Sequence, residues 1–194
     1  MSKAASLRAL AARISSKLGE HGIRAVLCGG SCVTIYARGR YATRDFDFVL
    51  SSSYRDSDVA AALAELGYRP DSSVSGAFTH PDEEMIVDIR PAPPSLGDEP
   101  IGEPAVLAAG RHRLVLLSPT DCVKDRLAHF YYYNDRQGCE QAILVCLAQR
   151  VNMREVGRWS RAEGQETGFA EFRRELNRRR RAARGALHIR DSRL

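Results

Sequence analysis

The stretch that decides the fold covers residues 28–50 and reads CGGSCVTIYARGRYATRDFDFVL. Before it, an apolar run predicts a short strand over residues 23–28, and after the Gly-Gly-Ser turn the spacing predicts a helix over residues 32–38. Residues 44–50 alternate polar and apolar side chains, which is the two-residue period of a half-buried strand. The stretch therefore predicts a strand, a glycine turn, a helix and a second strand, in that order.

The turn Gly29-Gly30-Ser31 is a candidate phosphate-binding loop. Glycine lets backbone N–H groups approach a phosphate closely, and the N-terminus of the following helix adds partial positive charge. The turn lacks the third glycine of a dinucleotide fingerprint and the Gly-Lys-Ser/Thr of a P-loop. It is not specific on its own, and its meaning depends on the residues of the next strand.

Two carboxylates lie on that second strand, Asp45 and Asp47. The period of a strand places both on one face, about 7 Å apart, a separation that suits two carboxylates sharing divalent cations. Like charges at this distance repel and raise each other's pKa unless a metal or a cationic partner compensates. The alternative is an edge strand with one solvated face.

A third strand-borne acid, Asp88, interrupts an apolar run that predicts a strand over residues 84–89. Three such acids and a glycine turn form a set suited to phosphoryl or nucleotidyl transfer. Two Mg²⁺ or Mn²⁺ ions would bridge the acids and a nucleoside triphosphate, one activating the attacking hydroxyl and the other stabilising the leaving pyrophosphate. The alternative for Asp88 is a salt bridge with Arg90 or Arg44.

The order of elements divides the chain into an α/β part over residues 1–117 and a helical part over residues 118–194. An N-terminal amphipathic helix follows from the spacing of Leu7, Leu10, Ile14 and Leu18. Further predictions for the first part are a helix over 57–66, strands over 74–79, 84–89 and 113–117, and a Pro-rich loop over 90–104. For the second part they are helices over 119–135, 137–150, 153–163 and 167–181.

Composition indicates a globular domain without a membrane span. Of the 194 residues, 44% are hydrophobic and 27% are charged, which is ordinary globular usage. No apolar run approaches the roughly 20 residues that cross a bilayer. Five cysteines without a CxxC pair indicate a reducing, cytoplasmic compartment and no structural zinc.

Positive charge is concentrated at the C-terminus. Residues 171–194 contain nine Arg against three acidic residues, whereas the net charge of the whole chain is +5. A neutral body with a basic end is typical of a protein that binds a polyanion, because neutralised phosphates supply most of the sequence-independent affinity for nucleic acid. The alternative is a solvated Arg-rich tail.

Lys124 and Asp135 are paired by helical spacing. They are eleven residues apart, and on one continuous helix eleven steps of about 100° leave them about 20° apart, so that both would face the same ligand. The alternative is a surface ion-pair face that includes Asp121.

The aromatic run Phe130-Tyr131-Tyr132-Tyr133 has two interpretations. Aromatic faces hold nucleic-acid bases without sequence preference, but such a run more often contributes to the core and leaves one or two rings exposed. The core interpretation is favoured here, and His129 beside the run is interpreted as structural, since two-metal transfer requires no histidine.

The Gly-Gly-Ser turn, the Asp-x-Asp strand and the later strand acid together resemble the nucleotidyltransferase superfamily that includes polymerase beta. The stretch LSPTDCVKDRL at residues 117–127, with Asn134-Asp135-Arg136 beyond it, resembles the AbiEii and MenT group of toxin nucleotidyltransferases from type IV toxin–antitoxin systems. The resemblance covers roughly residues 20–150.

The resemblance implies a fold of class α/β (α+β): a nucleotidyltransferase core with a mixed sheet, followed by a C-terminal helical lobe. It implies transfer of a nucleoside monophosphate from a nucleoside triphosphate to RNA, in the MenT branch to the 3′ end of tRNA. A cognate antitoxin is the implied protein partner. The implied roles are nucleotide binding by Gly29, Gly30, Ser31, Arg44 and Lys124, metal binding by Asp45, Asp47 and Asp88, and completion of the site by Asp135.

Thr43 is a predicted regulatory phosphosite. By the period of the strand it shares a face with Asp45 and Asp47, and in the family that the chain resembles some antitoxins phosphorylate a hydroxyl residue at the corresponding place. A phosphate of about −1.5 to −2 charge beside two carboxylates would compete for the metals and repel the triphosphate. The alternative is a plain turn residue after Gly39.

Two other functions stay open at this stage. One is an aminoglycoside-type O-nucleotidyltransferase with a small-molecule acceptor, whose cleft should be acidic, whereas this chain ends in arginines. The other is a catalytically silent nucleic-acid-binding or antitoxin-like module. The presence of Asp45, Asp47, Asp88 and Lys124 argues against this silent module.

Overall fold

A computed structural model describes residues 3–50, 54–90 and 95–191 of the chain, with side chains between residues 4 and 183. Seven helices lie in these ranges: α1 (Lys3–Glu20), α2 (Gly29–Tyr36), α3 (Asp56–Ala64), α4 (Pro119–Tyr133), α5 (Arg136–Ala148), α6 (Met153–Ala162) and α7 (Glu166–Asp191). Nine strands accompany them: β1 (Ala25–Cys28), β2 (Asp45–Leu50), β3 (Arg69–Pro70), β4 (Ala77–Thr79), β5 (Ile86–Arg90), β6 (Ser95–Leu96), β7 (Glu99–Pro100), β8 (Ala105–Ala109) and β9 (His112–Leu116).

Seven strands form one sheet in the order β3-β4-β5-β2-β1-β9-β8. It is a mixed sheet, because β1 pairs antiparallel with β2 and parallel with β9, while β2 pairs parallel with β5. The register places Asp47 opposite Cys28 on one side and opposite Asp88 on the other. The predicted mixed α/β core followed by helices is confirmed.

The alternation predicted for residues 44–50 sets the two faces of β2. Phe46, Phe48 and Leu50 are fully buried, whereas Asp45 and Asp47 on the opposite face are only partly buried. Fully burying an aromatic or aliphatic side chain stabilises a fold by about 1.5–3 kcal/mol. Burial of this apolar row therefore fixes the direction in which the two carboxylates point.

One continuous core extends across the predicted boundary at residues 117 and 118. The Tyr36 hydroxyl donates to the carbonyl of Leu117 at 2.6 Å, and the Gln149 amide donates to the carbonyl of Tyr36 at 2.9 Å. Side chains of α1, α2, the sheet, α4 and α5 belong to the same hydrophobic cluster. The helical lobe is thus packed directly against α2, which carries the glycine turn.

The predicted helix over residues 119–135 is right at its start and too long at its end. The Ser118 hydroxyl accepts the N–H of Asp121 at 3.1 Å, and Pro119 occupies the first turn, as the capping pattern predicts. The helix ends at Tyr133, because Asn134 adopts a left-handed conformation with φ 50°. A new helix, α5, begins at Arg136.

Several other boundaries differ from the predictions. Strand β8 was not predicted, because its alanines lack the β-branched pattern that marks strands. The predicted loop over residues 90–104 contains the hairpin of β6 and β7, and its residues 91–94 lie outside the described ranges. Helix α7 extends to Asp191, well beyond the predicted end at residue 181.

In the part of the chain that the structure describes, no helix combines the length and the apolar character needed to cross a membrane.

Candidate active site

A cavity of about 560 Å³ opens where the C-terminal end of β1, the start of α2 and the start of β2 meet helices α4 and α5. Six predicted site residues line it: Gly29, Gly30, Thr43, Asp45, Asp47 and Asp135. Four predicted residues do not line it: Ser31, Arg44, Asp88 and Lys124. The cavity is the candidate active site.

Gly29 allows Asp47 to lie against the N-terminus of α2. Its φ is +66°, which L side chains rarely adopt, and a Cβ at this position would overlap Oδ2 of Asp47. A Cβ at Gly30 would come within 3.0 Å of Oγ1 of Thr43 and 3.1 Å of the Tyr41 ring. The two glycines therefore let β2 and the segment before it approach the backbone of α2.

Hydroxyl groups hold the first carboxylate of β2 in place. The Thr43 hydroxyl donates to Oδ1 of Asp45 at 2.5 Å. Ser31 is buried and its hydroxyl donates to the backbone carbonyl of Asp45, so that this serine ties α2 to β2. The structure thus gives Ser31 a structural contact, and the exposed side chain of Arg44 lies outside the cavity.

The two carboxylates of β2 form an electrostatically unfavourable pair. Burial raises the pKa of Asp47, and the neighbouring Asp45 raises it further, while the Arg90 guanidinium opposes both effects. A divalent cation at this place would relieve the same repulsion.

Asp88 lies beside Asp47 on the neighbouring strand but is engaged by Arg90. Nη2 of Arg90 lies 2.7 Å from Oδ2 of Asp88 and 3.4 Å from Oδ1 of Asp47. Asp88 lines a second cavity of about 590 Å³, and Arg90 lines both cavities. The structure therefore shows the salt bridge with Arg90 that the sequence left open as the alternative for Asp88.

The donor set fits a magnesium ion held jointly with substrate. Among the described residues, no three or more His, Cys, Asp or Glu side chains are grouped so that they could hold a metal ion by themselves. Magnesium sites that act on phosphates commonly use one or two carboxylates together with phosphate oxygens and water. Asp45 and Asp47 offer carboxylate oxygens of this kind at the cavity wall.

Helix α4 presents a different face to the cavity from the one predicted. Asp125, His129 and Tyr133 line the cavity at four-residue spacing, which is one face of a helix. Oδ2 of Asp125 accepts the N–H of Gly29 at 3.3 Å and is also bound by Nε and Nη2 of Arg126 at 2.9 and 2.7 Å. An anion thus already lies at the N-terminus of α2, where the glycine turn predicts a phosphate.

Asp125 and Arg126 are not among the site residues predicted from the sequence. Both lie within the stretch that resembles the toxin group, but the eleven-residue spacing to Asp135 singled out Lys124 instead. The four-residue spacing of Asp125, His129 and Tyr133 marks them as one face of a helix, but it does not tell which face meets the site.

Lys124 is buried away from the cavity. Its side chain is 4% exposed, and Nζ lies 2.9 Å from carboxylate oxygens of both Glu99 and Glu155 and 3.6 Å from Asp121. Burial acts to lower the pKa of Lys124, but hydrogen bonds to Glu99 and Glu155 outweigh it, so the pKa lies above its ordinary value. We call Lys124, Glu99, Glu155 and Asp121 the Lys124 cluster.

The Lys124 cluster fastens the hairpin of β6 and β7 to helices α4 and α6. Glu99 lies on β7, and two further contacts follow the same seam: Nε1 of Trp159 donates to the carbonyl of Leu96 at 2.9 Å, and the N–H of Asp98 donates to Glu163 at 3.2 Å. These contacts indicate a structural role for Lys124.

Asp135 reaches the cavity by a different route from the one predicted. Lys124 and Asp135 do not share a helix, because the left-handed Asn134 separates α4 from α5. Asp135 caps α5, its Oδ1 accepting the N–H of Gln137 at 2.9 Å, and it lines the cavity with Gln137. The shared face predicted from eleven-residue spacing is therefore wrong, although Asp135 does reach the site.

The aromatic run divides between core and cavity. Phe130 is buried, and Tyr131 stacks on Trp159 with ring centroids 5.7 Å apart. Tyr133 is exposed and pairs with His129 at the cavity wall, with ring centroids 5.6 Å apart. The core interpretation holds for the first half of the run, while Tyr133 offers an open ring at the site.

Arginines of α7 lie beside the cavity rather than in it. A groove of about 340 Å³ between α5 and α7 is lined by Arg136, Arg174 and Arg178 together with Glu140, Glu171 and Glu175. Glu175 pairs with Arg178, and Glu171 pairs with Arg136. The groove is lined by as many glutamates as arginines, so the charges of its lining balance. Arg136 on the groove wall is the chain neighbour of Asp135 and Gln137, which line the active-site cavity.

Comparison with known proteins identifies the fold of the chain. The chain matches no protein-family model and no curated protein sequence. It is similar to the crystal structure of an antigenic nucleotidyltransferase-like protein from Paracoccidioides brasiliensis, with 15% identity, 72% of this chain and 73% of that chain covered, and a TM-score of 0.55. It is also similar to the solution structure of the antibiotic-resistance factor ANT(2'')-Ia, with 17% identity, 95% and 97% covered, and a TM-score of 0.54. The chain has the nucleotidyltransferase fold.

Replacing Lys124 by Met tests the structural role of the Lys124 cluster. Removing one member of a buried ion cluster leaves its partners unpaired, and we expect a loss of about 3 kcal/mol in the free energy of unfolding, the low end of the range for buried pairs. Chemical denaturation at pH 7 measures it. Lys17→Met is the matched control, because Lys17 pairs with the exposed Glu20 and Glu65 and should change stability much less.

Lys124→Met should also change how the free energy of unfolding depends on pH in the acid range. Hydrogen bonds from Arg158 and Lys124 lower the pKa of Glu155 to about 2, so this carboxylate stabilises the fold above its unfolded pKa, and that stabilisation is lost as the pH falls from about 4.5 towards 2. Lys124→Met should lose less stability than wild type over this range. An unchanged stability at pH 7 together with a large rise in the KM for nucleoside triphosphate would contradict the structural role.

Proposed function

We propose that the chain is a metal-dependent nucleotidyltransferase, which transfers a nucleoside monophosphate from a nucleoside triphosphate to an acceptor hydroxyl and releases pyrophosphate. The observation that carries this proposal is the pair Asp45 and Asp47, held on β2 against the glycine-opened N-terminus of α2 in a cavity of about 560 Å³. The nucleotidyltransferase fold supports it.

The proposed roles follow from position. Asp45 and Asp47 would hold Mg²⁺ or Mn²⁺, which when bound neutralises phosphate charge and makes the acceptor hydroxyl more acidic. The backbone N–H groups of Gly29 and Gly30 are placed to donate to a phosphate oxygen. This oxygen would replace the Asp125 carboxylate, which accepts the N–H of Gly29 at 3.3 Å. Arg90 and Arg126 supply positive charge on the cavity wall.

For the acceptor we propose RNA, with the 3′ end of tRNA as the implied substrate and the chain as the toxin of a toxin–antitoxin pair. The support is the resemblance of residues 117–127 to the toxin group and the presence of Arg136, Arg174 and Arg178, together with three glutamates, in a groove between α5 and α7. Phosphates of an RNA end in the cavity would meet this groove as the strand leaves the site. The exposed ring of Tyr133 offers a stacking surface for a base.

A small polyamine acceptor is the second candidate. The cavity contains four carboxylates, from Asp45, Asp47, Asp125 and Asp135, against the two guanidinium groups of Arg90 and Arg126. This excess of negative charge is the acidic cleft that an aminoglycoside-type acceptor requires. The structural similarity to the antibiotic-resistance factor extends over nearly the whole of both chains.

Asp47→Asn and Asp45→Asn test the catalytic proposal. Each removes one metal-binding charge, and we expect nucleotide transfer to fall about 100-fold or more while circular dichroism and the unfolding midpoint stay close to wild type. Asp82→Asn is the control, since Asp82 is exposed on a loop away from the cavity. Wild-type transfer by Asp47→Asn would contradict the role given to this carboxylate.

The two acceptors are separated by a direct labelling assay. The wild-type protein is incubated with Mg²⁺ and each α-labelled nucleoside triphosphate in turn, with total RNA in one series and an aminoglycoside in the other. We expect label in RNA of tRNA length, at a rate that falls as salt increases, because phosphate contacts are lost by counterion competition. Label in the aminoglycoside alone would establish the second candidate, and label in neither would contradict the transferase proposal.

Thr43 provides a test of regulation. Its hydroxyl already donates to Asp45, so a phosphate there would lie against the metal-binding carboxylates. We expect Thr43→Glu to abolish transfer and Thr43→Ser to retain most of it. Intact-mass measurement after co-expression with the cognate antitoxin should show one added phosphate on Thr43. An inhibited protein of unmodified mass would instead indicate inhibition by complex formation.

A further inference from the structure

Arg90 lies between two of the three strand-borne acids. Its Nη2 atom lies 2.7 Å from Oδ2 of Asp88 and 3.4 Å from Oδ1 of Asp47. The parallel register of β2 and β5 pairs Asp47 with Asp88. Because Arg90 is two residues beyond Asp88 on β5, its side chain emerges on the same face of the sheet as both carboxylates. One guanidinium thus balances two facing acids.

The contacts of Arg90 with the two carboxylates are of a kind that another cation can replace. A single nitrogen serves both carboxylates, so neither contact is the two-nitrogen fork that makes arginine pairs strong. The Arg90 side chain is 56% exposed, whereas the side chains of Asp47 and Asp88 are 18% and 20% exposed. An ion pair with a solvent-exposed cation contributes little stability, so little is lost when another cation replaces this guanidinium.

We propose that Arg90 is a built-in counter-cation for Asp47 and Asp88, and that a divalent cation binds Asp47 only after displacing it. Arg90 thereby sets the affinity of the site for the cation. The proposal rests on the proposed function, because it takes Asp47 as a ligand of the catalytic metal. The proposal explains why the acidic residues that the structure describes do not form a group able to hold a metal ion by themselves.

The position of Arg90 also couples the cation to the nucleotide. Arg90 lines both the active-site cavity and the second cavity beside it, so a displaced guanidinium stays at the border of the two. A triphosphate in the active-site cavity offers that guanidinium new anionic partners. Cation and nucleotide therefore bind cooperatively in the wild-type protein, and this cooperativity depends on the charge of Arg90.

The test is binding of Mn²⁺ to the full chain without nucleotide, measured by calorimetry and by electron paramagnetic resonance of free Mn²⁺. We expect Arg90→Gln to bind Mn²⁺ about tenfold more tightly than wild type, because the ion no longer competes with a guanidinium. Arg90→Lys keeps the charge and should stay close to wild type. Arg40→Gln is the matched control: it removes the same charge at an exposed position outside the cavity and should bind like wild type.

A second measurement adds a non-hydrolysable nucleoside triphosphate. Saturating nucleotide should tighten Mn²⁺ binding clearly more in wild type than in Arg90→Gln, bringing the two affinities together. Equal or weaker Mn²⁺ binding by Arg90→Gln without nucleotide would overturn the counter-cation role.

The failure of this proposal is distinguishable from failure of the proposed function. If Asp47→Asn abolishes Mn²⁺ binding but Arg90→Gln leaves it unchanged, the metal site stands and only the role of Arg90 is wrong. If neither wild type nor Arg90→Gln binds Mn²⁺, with or without nucleotide, the metal-dependent function fails and the role of Arg90 fails with it. Arg90 is mostly exposed, so Arg90→Gln should fold, and the unfolding midpoint verifies this.

Discussion

Repulsion between Asp45 and Asp47 is the constraint on which the site depends. The apolar row of Phe46, Phe48 and Leu50 in the core forces both carboxylates onto the opposite face of β2. The surroundings then compensate the charge in three ways. The Thr43 hydroxyl donates to Asp45, and the Arg90 guanidinium lies near Asp47. Gly29 leaves room for Asp47 to lie against the N-terminus of α2. A catalytic cation would complete this compensation.

The parts of the site that lie within residues 28–50 could be predicted from the sequence. The two-residue alternation of β2 depends only on which side chains are apolar, and burial of Phe46 and Phe48 confirms it. The glycine turn could also be predicted from the sequence. In the structure, the positive φ and the approach of Asp47 both require glycine at position 29. Local pattern and tertiary packing agree along this stretch, which is why both the fold and the cavity could be inferred from it.

The contribution of the helical lobe could not be predicted in the same way. A step of one residue on α4 rotates the side chain by about 100°, which separates the buried Lys124 from Asp125 at the cavity. Which of the two faces the site is decided by the carboxylates of Glu99 and Glu155, which come from β7 and α6 and are distant in sequence. The break at Asn134 was missed because the helical spacing was continued through it, although asparagine at a helix end and aspartate at the next helix start are both capping signals.

The measurement that bears most directly on the account is the crystal structure of the protein with Mn²⁺ and a non-hydrolysable nucleoside triphosphate, with anomalous data collected at the manganese edge. The account predicts an anomalous peak at the carboxylates of Asp45 and Asp47, with phosphate oxygens at the N–H groups of Gly29 and Gly30 and with Arg90 moved away from Asp47. Nucleotide bound elsewhere, or manganese absent from both carboxylates while nucleotide fills the cavity, would contradict the account.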